Sequence, residues 1–463
     1  MRGKYKFYIW IVGFVSMFLH GKTDAQQALY PLLEKKSWSQ VLEENEYKWH
    51  PPYTINLLIH PLHSSDWIYL NPSMVVSRRH VIRNISSTNF EQRKKAESQE
   101  DLVVQFAFDN PPFIPDFRLT NLRLAEDKYP VATADYFAND IYYKIEYAAT
   151  VLDDSQTLLC LRVGAKNESD KIKQIMIRSK IGYYSENKMF DYHYIPYRWT
   201  NEKWKDYDQV VLKEHSIYKG QQLIGEVVSE NMNLFWEEKK SYTDKEYEDI
   251  LYPQVWYGSG YVTPEFRVKD MHRVVCAMKE VQPNDSAFFV LKLLVNDSLI
   301  TSFHEESLKQ LTFKDVKEKA IADFKVPFTD KTLKTEFKRD EWEDLFCSLQ
   351  LSTLQLLVND FQNKMYQPAQ GGSSERFFVW VFEAVQMLRP MLRTGQFESV
   401  KKSLDYIFSL QDAGFPPVGK FTTTSGAIGT TGPRWANTTG MALALAWDYY
   451  LYSNLFMHLP ACK

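Results

Sequence analysis

A tryptophan and a glutamate, Trp380 and Glu383, lie three residues apart in a segment of helical spacing near the C-terminal end of the chain. Residues i and i+3 of a helix lie on one face, so the two side chains are predicted to project together. An apolar ring removes water from a neighbouring carboxyl group, which raises its pKa towards the range needed to protonate a leaving oxygen. The pair therefore predicts Glu383 as a general acid. The alternative is that Glu383 is a polar residue at the edge of a core in which Trp380 packs.

A second candidate is the loop SGAIGTTGPRWAN, which covers Ser425–Asn437. It brings glycines and hydroxyl groups together with Arg434, Trp435 and Asn437 just before a predicted helix. No Lys-Ser/Thr pair follows the glycines, so the loop is not a phosphate-binding P-loop. Helix N-termini offer free backbone N–H groups, and the loop therefore predicts part of a carbohydrate or anion pocket. The alternative is a long connection that uses glycine for its turns.

Two further segments mix aromatic rings with charges: Phe190–Tyr207, and the rings spread between Phe235 and Tyr261. Rings on long loops are typical of a platform on which a ligand stacks. Loops that only cover a β domain would have the same composition, so both interpretations stay open.

The elements that must position these residues differ between the two parts of the chain. From about Asp101 to Val295, apolar runs alternate with turn residues, and Ile141, Tyr143 and Ile145 show the two-residue period of a half-buried strand. No helical crossovers separate the runs, which favours a large antiparallel sandwich over a parallel sheet. The predicted strands are Leu102–Phe108, Ile141–Val151, Thr157–Val163, Ile172–Ile181, Gln209–Leu212 and Ser286–Val295.

Helical spacing begins near Glu306 and continues to the C-terminal part. Pro327 breaks the pattern, Gly395 suits the left-handed end of a helix, and Asn437 suits an N-cap. The predicted helices are Ser307–Phe324, Arg339–Lys364, Glu375–Arg393, Gln396–Gln411 and about Thr438–Tyr452. The sequence thus predicts an α+β multidomain protein: a β-sandwich over residues 26–305, a helical linker over 306–338 and a helical domain over 339–463.

Composition excludes several classes of function. The 463 residues carry a net charge of −3, which gives no electrostatic reason to expect nucleic acid. The four cysteines form no CxxC pair and the ten histidines no HExxH motif, so neither a metal nor another cofactor is predicted. Cys160 and Cys276 lie in apolar runs and are predicted to be buried thiols. A GxSxG nucleophile elbow is also missing from the sequence.

The N-terminus has the composition of a secretory signal peptide. Arg2, Lys4 and Lys6 precede an apolar run over Phe7–Leu19, and Thr23-Asp24-Ala25 follows it. The run is too short to span a bilayer comfortably, and no second apolar run of about 18 residues occurs. Residues 1–25 are therefore predicted to be removed, leaving an exported periplasmic or extracellular protein without a stable membrane span.

The order of these features resembles the six-hairpin glycosidase superfamily, in which an N-terminal β-supersandwich precedes an (α/α)6 toroid. The C-terminal motifs carry the resemblance: Gly371-Gly372, Arg376, Trp380, Glu383 and the glycine-rich loop that ends at Asn437. With its export signal the chain is similar to polysaccharide-utilisation enzymes of Bacteroidetes. The motif-bearing part covers only about Gln370 to Tyr452.

The resemblance implies a glycoside hydrolase that acts on an oligo- or polysaccharide with two carboxyl groups, one of them the acid. It implies Glu383 as catalytic residue and Arg376, Trp380, Arg434, Trp435 and Asn437 as substrate-binding residues. The second carboxylate of such enzymes usually lies later in the toroid than this sequence extends. We therefore expect a C-terminally truncated toroid of about four helices that lacks the second carboxylate. Whether such a chain is active is not determined by the sequence.

Two other interpretations stay open. One is a non-catalytic exported carbohydrate-binding protein, with the aromatic segments of the β domain as its binding part. The other is a phosphorylase or lyase on the same toroid, although the lyases usually place the toroid before the sandwich. The sugar, the linkage, the stereochemical outcome, the oligomeric state and any disulfide pairing are not determined by the sequence.

Overall fold

The structure is a computed structural model with two large β-sheets and a helical C-terminal part. It describes residues 57–70, 74–80, 100–110, 112–113, 115, 120–153, 156–185, 204–205, 210–238, 255–257, 260–262, 273–296, 300–328, 332, 337–360, 363–369, 379–412, 426–428 and 436–458. The predicted signal peptide and most of the two aromatic segments lie outside these residues.

The described residues form twenty strands. In chain order they are β1 (Leu57–Leu58), β2 (Asp66–Leu70), β3 (Val76–His80), β4 (Glu100–Phe108), β5 (Asn121–Ala125), β6 (Tyr129–Ala138), β7 (Ile141–Asp153), β8 (Gln156–Asn167), β9 (Lys173–Ser185), β10 (Trp204–Lys205), β11 (Val210–Lys213), β12 (Ser216–Lys219), β13 (Gln222–Ser229), β14 (Asn233–Glu237), β15 (Val255–Tyr257), β16 (Gly260–Val262), β17 (Val274–Val281), β18 (Ser286–Leu294), β19 (Leu357–Asp360) and β20 (Met365–Pro368).

Two antiparallel sheets of eight strands each contain most of them. The first has the order β1-β2-β3-β4-β9-β17-β14, with β10 paired to β9, and the second has the order β11-β12-β13-β18-β8-β7-β6-β5. The six predicted strands all correspond to observed ones, and their antiparallel pairing is confirmed. Two short hairpins, β15-β16 and β19-β20, lie apart from these sheets.

One apolar core joins the two sheets, as in a β-sandwich. In β7 the residues Ile141, Tyr143 and Ile145 are buried, and the ring of Tyr143 lies 4.7 Å from that of Phe108 in the other sheet. The hydroxyl of Tyr147 donates to the carbonyl of Met74, which also lies on the other side of the core. The two-residue period of β7 therefore predicts the buried face correctly, because alternate side chains of a strand point to opposite faces.

Two helices, α1 (Ser302–Gln310) and α2 (Phe313–Lys325), cover the outer face of the second sheet. Leu308, Val316 and Phe324 share a buried cluster with Ala148 of β7 and Cys160 of β8. The predicted single helix over Ser307–Phe324 is thus wrong: Thr312 caps a new helix through a capping box with Asp315. The stretch predicted as a linker packs against the sheet along these two helices.

The helix predicted over Arg339–Lys364 is also shorter in the structure. Helix α3 covers Asp340–Gln355, and the hairpin β19-β20 follows it. Trp67 of β2 packs with Val358 and Ala369, and these three side chains form a small buried cluster. The prediction failed because the apolar residues after Gln355 lie on a strand, where Val358 is buried against β2, and not on a continued helical face.

Three further helices share one core: α4 (Val381–Arg393), α5 (Phe397–Ser409) and α6 (Ala436–His458). Gly395 has φ 85°, the N–H of Gly395 donates to Leu392 O at 3.2 Å, and the N–H of Gln396 donates to Met391 O at 2.9 Å. This is a Schellman motif, so the predicted helix end at Gly395 is confirmed. A toroid built from such helices stays a prediction.

Candidate functional site

A cleft of about 370 Å³ opens where the sandwich meets the helical part. Its walls come from four segments: the loop between β1 and β2, the turn between β7 and β8, the end of α2, and the hairpin β19-β20. Pockets that hold small ligands typically have volumes of roughly 300–1,000 Å³ and lie where structural units meet. We therefore treat this cleft as the candidate binding site.

Two histidines attach the β1–β2 loop to the end of α3 and the start of β19. Nε2 of His60 lies 3.0 Å from Gln355 O, and the Gln355 side-chain amide donates to His60 O at 2.6 Å. Nδ1 of His63 lies 3.0 Å from Leu357 O, and the N–H of Asn359 donates to His63 O at 3.0 Å. Carbonyl oxygens only accept hydrogen bonds, so the bonded nitrogen of each ring carries the proton.

Burial lowers the pKa of both His60 and His63 to about 4, because it disfavours the charged ring. Lys402 lowers the pKa of His63 further through its positive charge. Both rings are therefore neutral at neutral pH. With its proton on Nδ1, His63 keeps Nε2 as a hydrogen-bond acceptor in the cleft wall.

Both faces of the Tyr366 ring, which lies in the cleft wall, are covered by other side chains. The ring of His63 stacks on that of Tyr366 at 4.2 Å, and Nζ of Lys402 lies 4.8 Å from the centre of the same ring. A parallel ring at that distance covers one whole face, so Lys402 lies over the other. A ligand therefore meets Tyr366 at its edge and hydroxyl group.

The back wall is a buried polar network. The side-chain amide of Gln156 donates to Asn296 O at 3.1 Å, and the Asn296 N–H donates to Gln156 Oε1 at 2.9 Å. Asp66 lies 4.0 Å from Arg78 Nε, and both side chains are almost fully buried. These groups are engaged with one another, so they support the shape of the cleft.

Two carboxylates are more accessible. Asp153, at the end of β7, has a side chain that is 42% exposed, and its Oδ2 lies 2.7 Å from Nε2 of His304. Asp323 of α2 forms an ion pair with Lys319 at 3.1 Å, and Lys319 also donates to the hydroxyl of Thr150 at 2.7 Å. The cleft thus offers acceptors of hydrogen bonds beside an acidic rather than a basic surface.

The predicted catalytic pair lies away from this cleft, on α4. Trp380 is the N-cap residue, half-buried, and its side chain forms no capping hydrogen bond. Glu383 lies in the first turn and is exposed. Because Glu383 is exposed, the carboxyl group is not removed from water as the sequence interpretation requires. The catalytic role of Glu383 stays a prediction.

The other predicted site residues are mostly not described. Arg376, Arg434 and Trp435 lie outside the described residues, as does most of the glycine-rich loop. Asn437 is exposed and is the second residue of α6, because the helix begins at Ala436, two residues before the predicted start at Thr438; Asn437 is therefore not its N-cap. A helix start is commonly misplaced by one or two residues in sequence-based assignment.

The structure tests the burial predicted for two of the four cysteines. Cys160 and Cys276 are fully buried free thiols, as predicted, and burial raises the pKa of Cys160 to about 12. Cys347 is also a free thiol, whereas Cys462 lies outside the described residues. No group of three or more His, Cys, Asp or Glu side chains in the described part of the chain could hold a metal ion.

Sequence reasoning missed the cleft. The segment His60–Asp66 places two histidines, two serines and an aspartate between two strands, and this density of polar groups was the available signal. Its partners lie up to about 300 positions away along the chain, and a local sequence pattern contains no information about them.

Among the described helices, none has the length and apolar character needed to cross a bilayer.

Compared with models of known protein families and with curated proteins, the chain matches none of them.

Proposed function

We propose that this protein is an exported, glycoside hydrolase-like protein that binds a neutral oligo- or polysaccharide. The observation that supports the proposal best is the lining of the cleft, where the acceptors Asp153, Asp323 and His63 lie beside Asn359 and the phenol of Tyr366. Sugar hydroxyls donate and accept, so they pair with carboxylates, amides and phenols together.

The charges of the cleft argue for a neutral sugar. Asp66, Asp153 and Asp323 all lie in its walls, whereas the cations described beside it are already paired or stacked: Arg78 with Asp66, Lys319 with Asp323, and Lys402 on the ring of Tyr366. An anionic ligand would meet like charges there, which costs free energy. Uronates and sulfated sugars are therefore disfavoured.

Replacing Asn359 with alanine is expected to weaken binding of a neutral oligosaccharide about tenfold, the effect of losing one or two hydrogen bonds. Isothermal titration calorimetry with a panel of neutral and uronate-containing oligosaccharides measures this. Asn233→Ala is the matched control, because Asn233 is exposed on β14 at the opposite edge of the first sheet from β1. If Asn359→Ala and the wild type bind with equal affinity, the cleft is not the binding site.

Hydrolysis is the second part of the proposal, and the sequence motif at Glu383 supports it. If Glu383 is the acid, Glu383→Gln lowers the hydrolysis rate by about 10²–10⁴-fold, the range of general acid catalysis. Because the side chain is exposed in a first helical turn, the stability loss should stay at about 0.3–1 kcal/mol. Reducing-sugar release and thermal unfolding of the same samples report the two effects separately.

Glu398→Gln provides the control, since Glu398 is likewise exposed in the first turn of its helix, α5. Its rate is expected to equal that of the wild type. If Glu383→Gln hydrolyses as fast as Glu398→Gln, Glu383 is not the acid.

The alternative function, a non-catalytic carbohydrate-binding protein, is favoured by one observation. Glu383 is exposed, so the described surroundings do not exclude water from its carboxyl group, as the site of a general acid would. Binding of an oligosaccharide that stays intact during prolonged incubation with the wild-type protein would support this alternative.

A further inference from the structure

A histidine behind the cleft has both ring nitrogens engaged. The N–H of Thr301 donates to Nδ1 of His304 at 3.1 Å, and Nε2 of His304 lies 2.7 Å from Oδ2 of Asp153. A backbone N–H can only donate, so Nδ1 is unprotonated and the ring proton is on Nε2. His304 therefore donates to the carboxylate of Asp153, and the start of α1 determines the tautomer.

Capping of α1 does not by itself require a histidine. Thr301 and His304 form a capping box, and Thr312 and Asp315 form the same motif at the start of α2. There the carboxylate of Asp315 accepts from the Thr312 N–H at 2.9 Å, the role that Nδ1 has in α1. The histidine adds one feature that an acid in this position lacks, a donor on its far side. That donor reaches Asp153.

Asp153 connects the buried His304 to the cleft. His304 is fully buried, whereas the side chain of Asp153 is 42% exposed and contributes to the cleft wall. A carboxylate has about four acceptor positions, so it can take part in several hydrogen bonds at once. The carboxylate that is oriented in this way can accept a further hydrogen bond from a ligand.

We propose that His304 is a positioning residue that holds Asp153 as the acceptor for sugar hydroxyl groups in the cleft. This inference rests on the proposed function and assigns one binding contact within it. A fixed acceptor loses less rotational freedom when the ligand binds, so positioning increases affinity. The competing explanation is that the pair only ties the β7–β8 turn to α1.

Two substitutions at His304 separate these explanations. His304→Gln places an amide N–H at about the distance of Nε2, so it keeps a donor for Asp153, but its carbonyl oxygen then no longer lies at the position of Nδ1. His304→Asn places its carbonyl oxygen near the position of Nδ1, so it keeps the cap and loses the donor. Asp153→Asn reports the contribution of the carboxylate itself.

We expect His304→Asn and Asp153→Asn to bind neutral oligosaccharides about tenfold more weakly than wild type, and His304→Gln to bind within about twofold of it, by calorimetry. Thermal unfolding should show the reverse order for the two His304 variants, with Gln the less stable. Long-range ¹H–¹⁵N spectra of the wild type should show a histidine with its proton on Nε2 whose signals are missing in both variants.

Other results would overturn the assignment. If the wild type binds and both His304 variants bind equally well while Asp153→Asn does not, the histidine is only a structural tie. If Asp153→Asn also binds normally, Asp153 is not a ligand contact. If the wild type binds no oligosaccharide of the panel, the proposed function itself fails and the positioning role fails with it.

Discussion

Lowering the pH from about 7 to 4 is expected to destabilise the protein by about 3 kcal/mol through His60 alone, with a smaller part from the half-buried His63. Folding lowers the pKa of His60 from 6.5 to about 4, so unfolding takes up a proton. The stabilising contribution is complete above pH 6.5, decreases as the pH falls through that value, and is lost near pH 4. Denaturant unfolding at a series of pH values measures it.

The structural reason lies in the surroundings of the ring. His60 is completely buried against Trp67, with ring centres 5.3 Å apart, and its Nδ1 has no hydrogen-bond partner among the described residues. Protonation of Nδ1 would place a charge and an unpaired N–H in the buried surroundings of the ring. The same ring holds the loop that forms one wall of the cleft, so ligand binding should weaken over the same pH range.

His60→Gln removes the titrating group and keeps an amide that can donate to Gln355. Between pH 7 and 4, the free energy of unfolding of the wild type should fall by about 3 kcal/mol more than that of His60→Gln. His215→Gln is the control, because His215 is exposed in the turn after β11. An unchanged pH dependence in His60→Gln would show that His60 is not the source.

The second large effect is expected at Lys292, a buried lysine of β18. Its ammonium group donates to Leu308 O and to Leu311 O, the latter at 3.4 Å, and lies 2.6 Å from Glu226 Oε2. The contact with Glu226 is an ion pair and not an aligned hydrogen bond. The ammonium charge of Lys292 thus compensates both the negative C-terminal end of α1 and the carboxylate of Glu226 on the neighbouring strand β13.

Lys292→Met should therefore reduce the free energy of unfolding by about 3–5 kcal/mol, because breaking a buried pair leaves its partner without compensation. Adding Glu226→Gln to this variant should restore part of the loss. Lys314→Met is the matched control: Lys314 is 79% exposed, and its pair with Glu318 should be worth less than about 0.5 kcal/mol. Urea denaturation of the four proteins measures these differences.

A loss at Lys292 no larger than that at Lys314 would contradict the assignment. It would mean that water reaches the ammonium group or the helix end, in which case the lysine does not hold α1 on the second sheet. Because α1 carries His304, a real loss at Lys292 should also weaken oligosaccharide binding.

Much of the local structure follows from the sequence. The alternation in β7 and the helix end at Gly395 depend on neighbours within a few residues, and the structure confirms them. Two helix predictions were wrong because another interaction ends the helix before the helical spacing of apolar residues does. Thr312 interrupts one predicted helix with a cap, and the end of another becomes the hairpin β19-β20 because Trp67 packs on Val358.

The candidate site could not be predicted in the same way. His63, Asp153 and Tyr366 are separated by about 90 to 300 positions, and only the packing of the sheets against α2 and the β19-β20 hairpin brings them to one cleft. In contrast, Trp380 and Glu383 are only three residues apart in sequence, and the structure places the first at a helix cap and the second in solvent.

The sequence by itself determined the period of the strands and helices, the turn at Gly395 and the burial of Cys160 and Cys276, because these depend on local sterics and on the balance of apolar and polar residues. Only the tertiary structure decided which polar groups meet and which of them lose water. The neutral state of His60 and the bond from His304 to Asp153 result from burial and from contacts between distant segments. The free energy of such interactions depends on distance and solvent exposure, and a one-dimensional pattern contains neither.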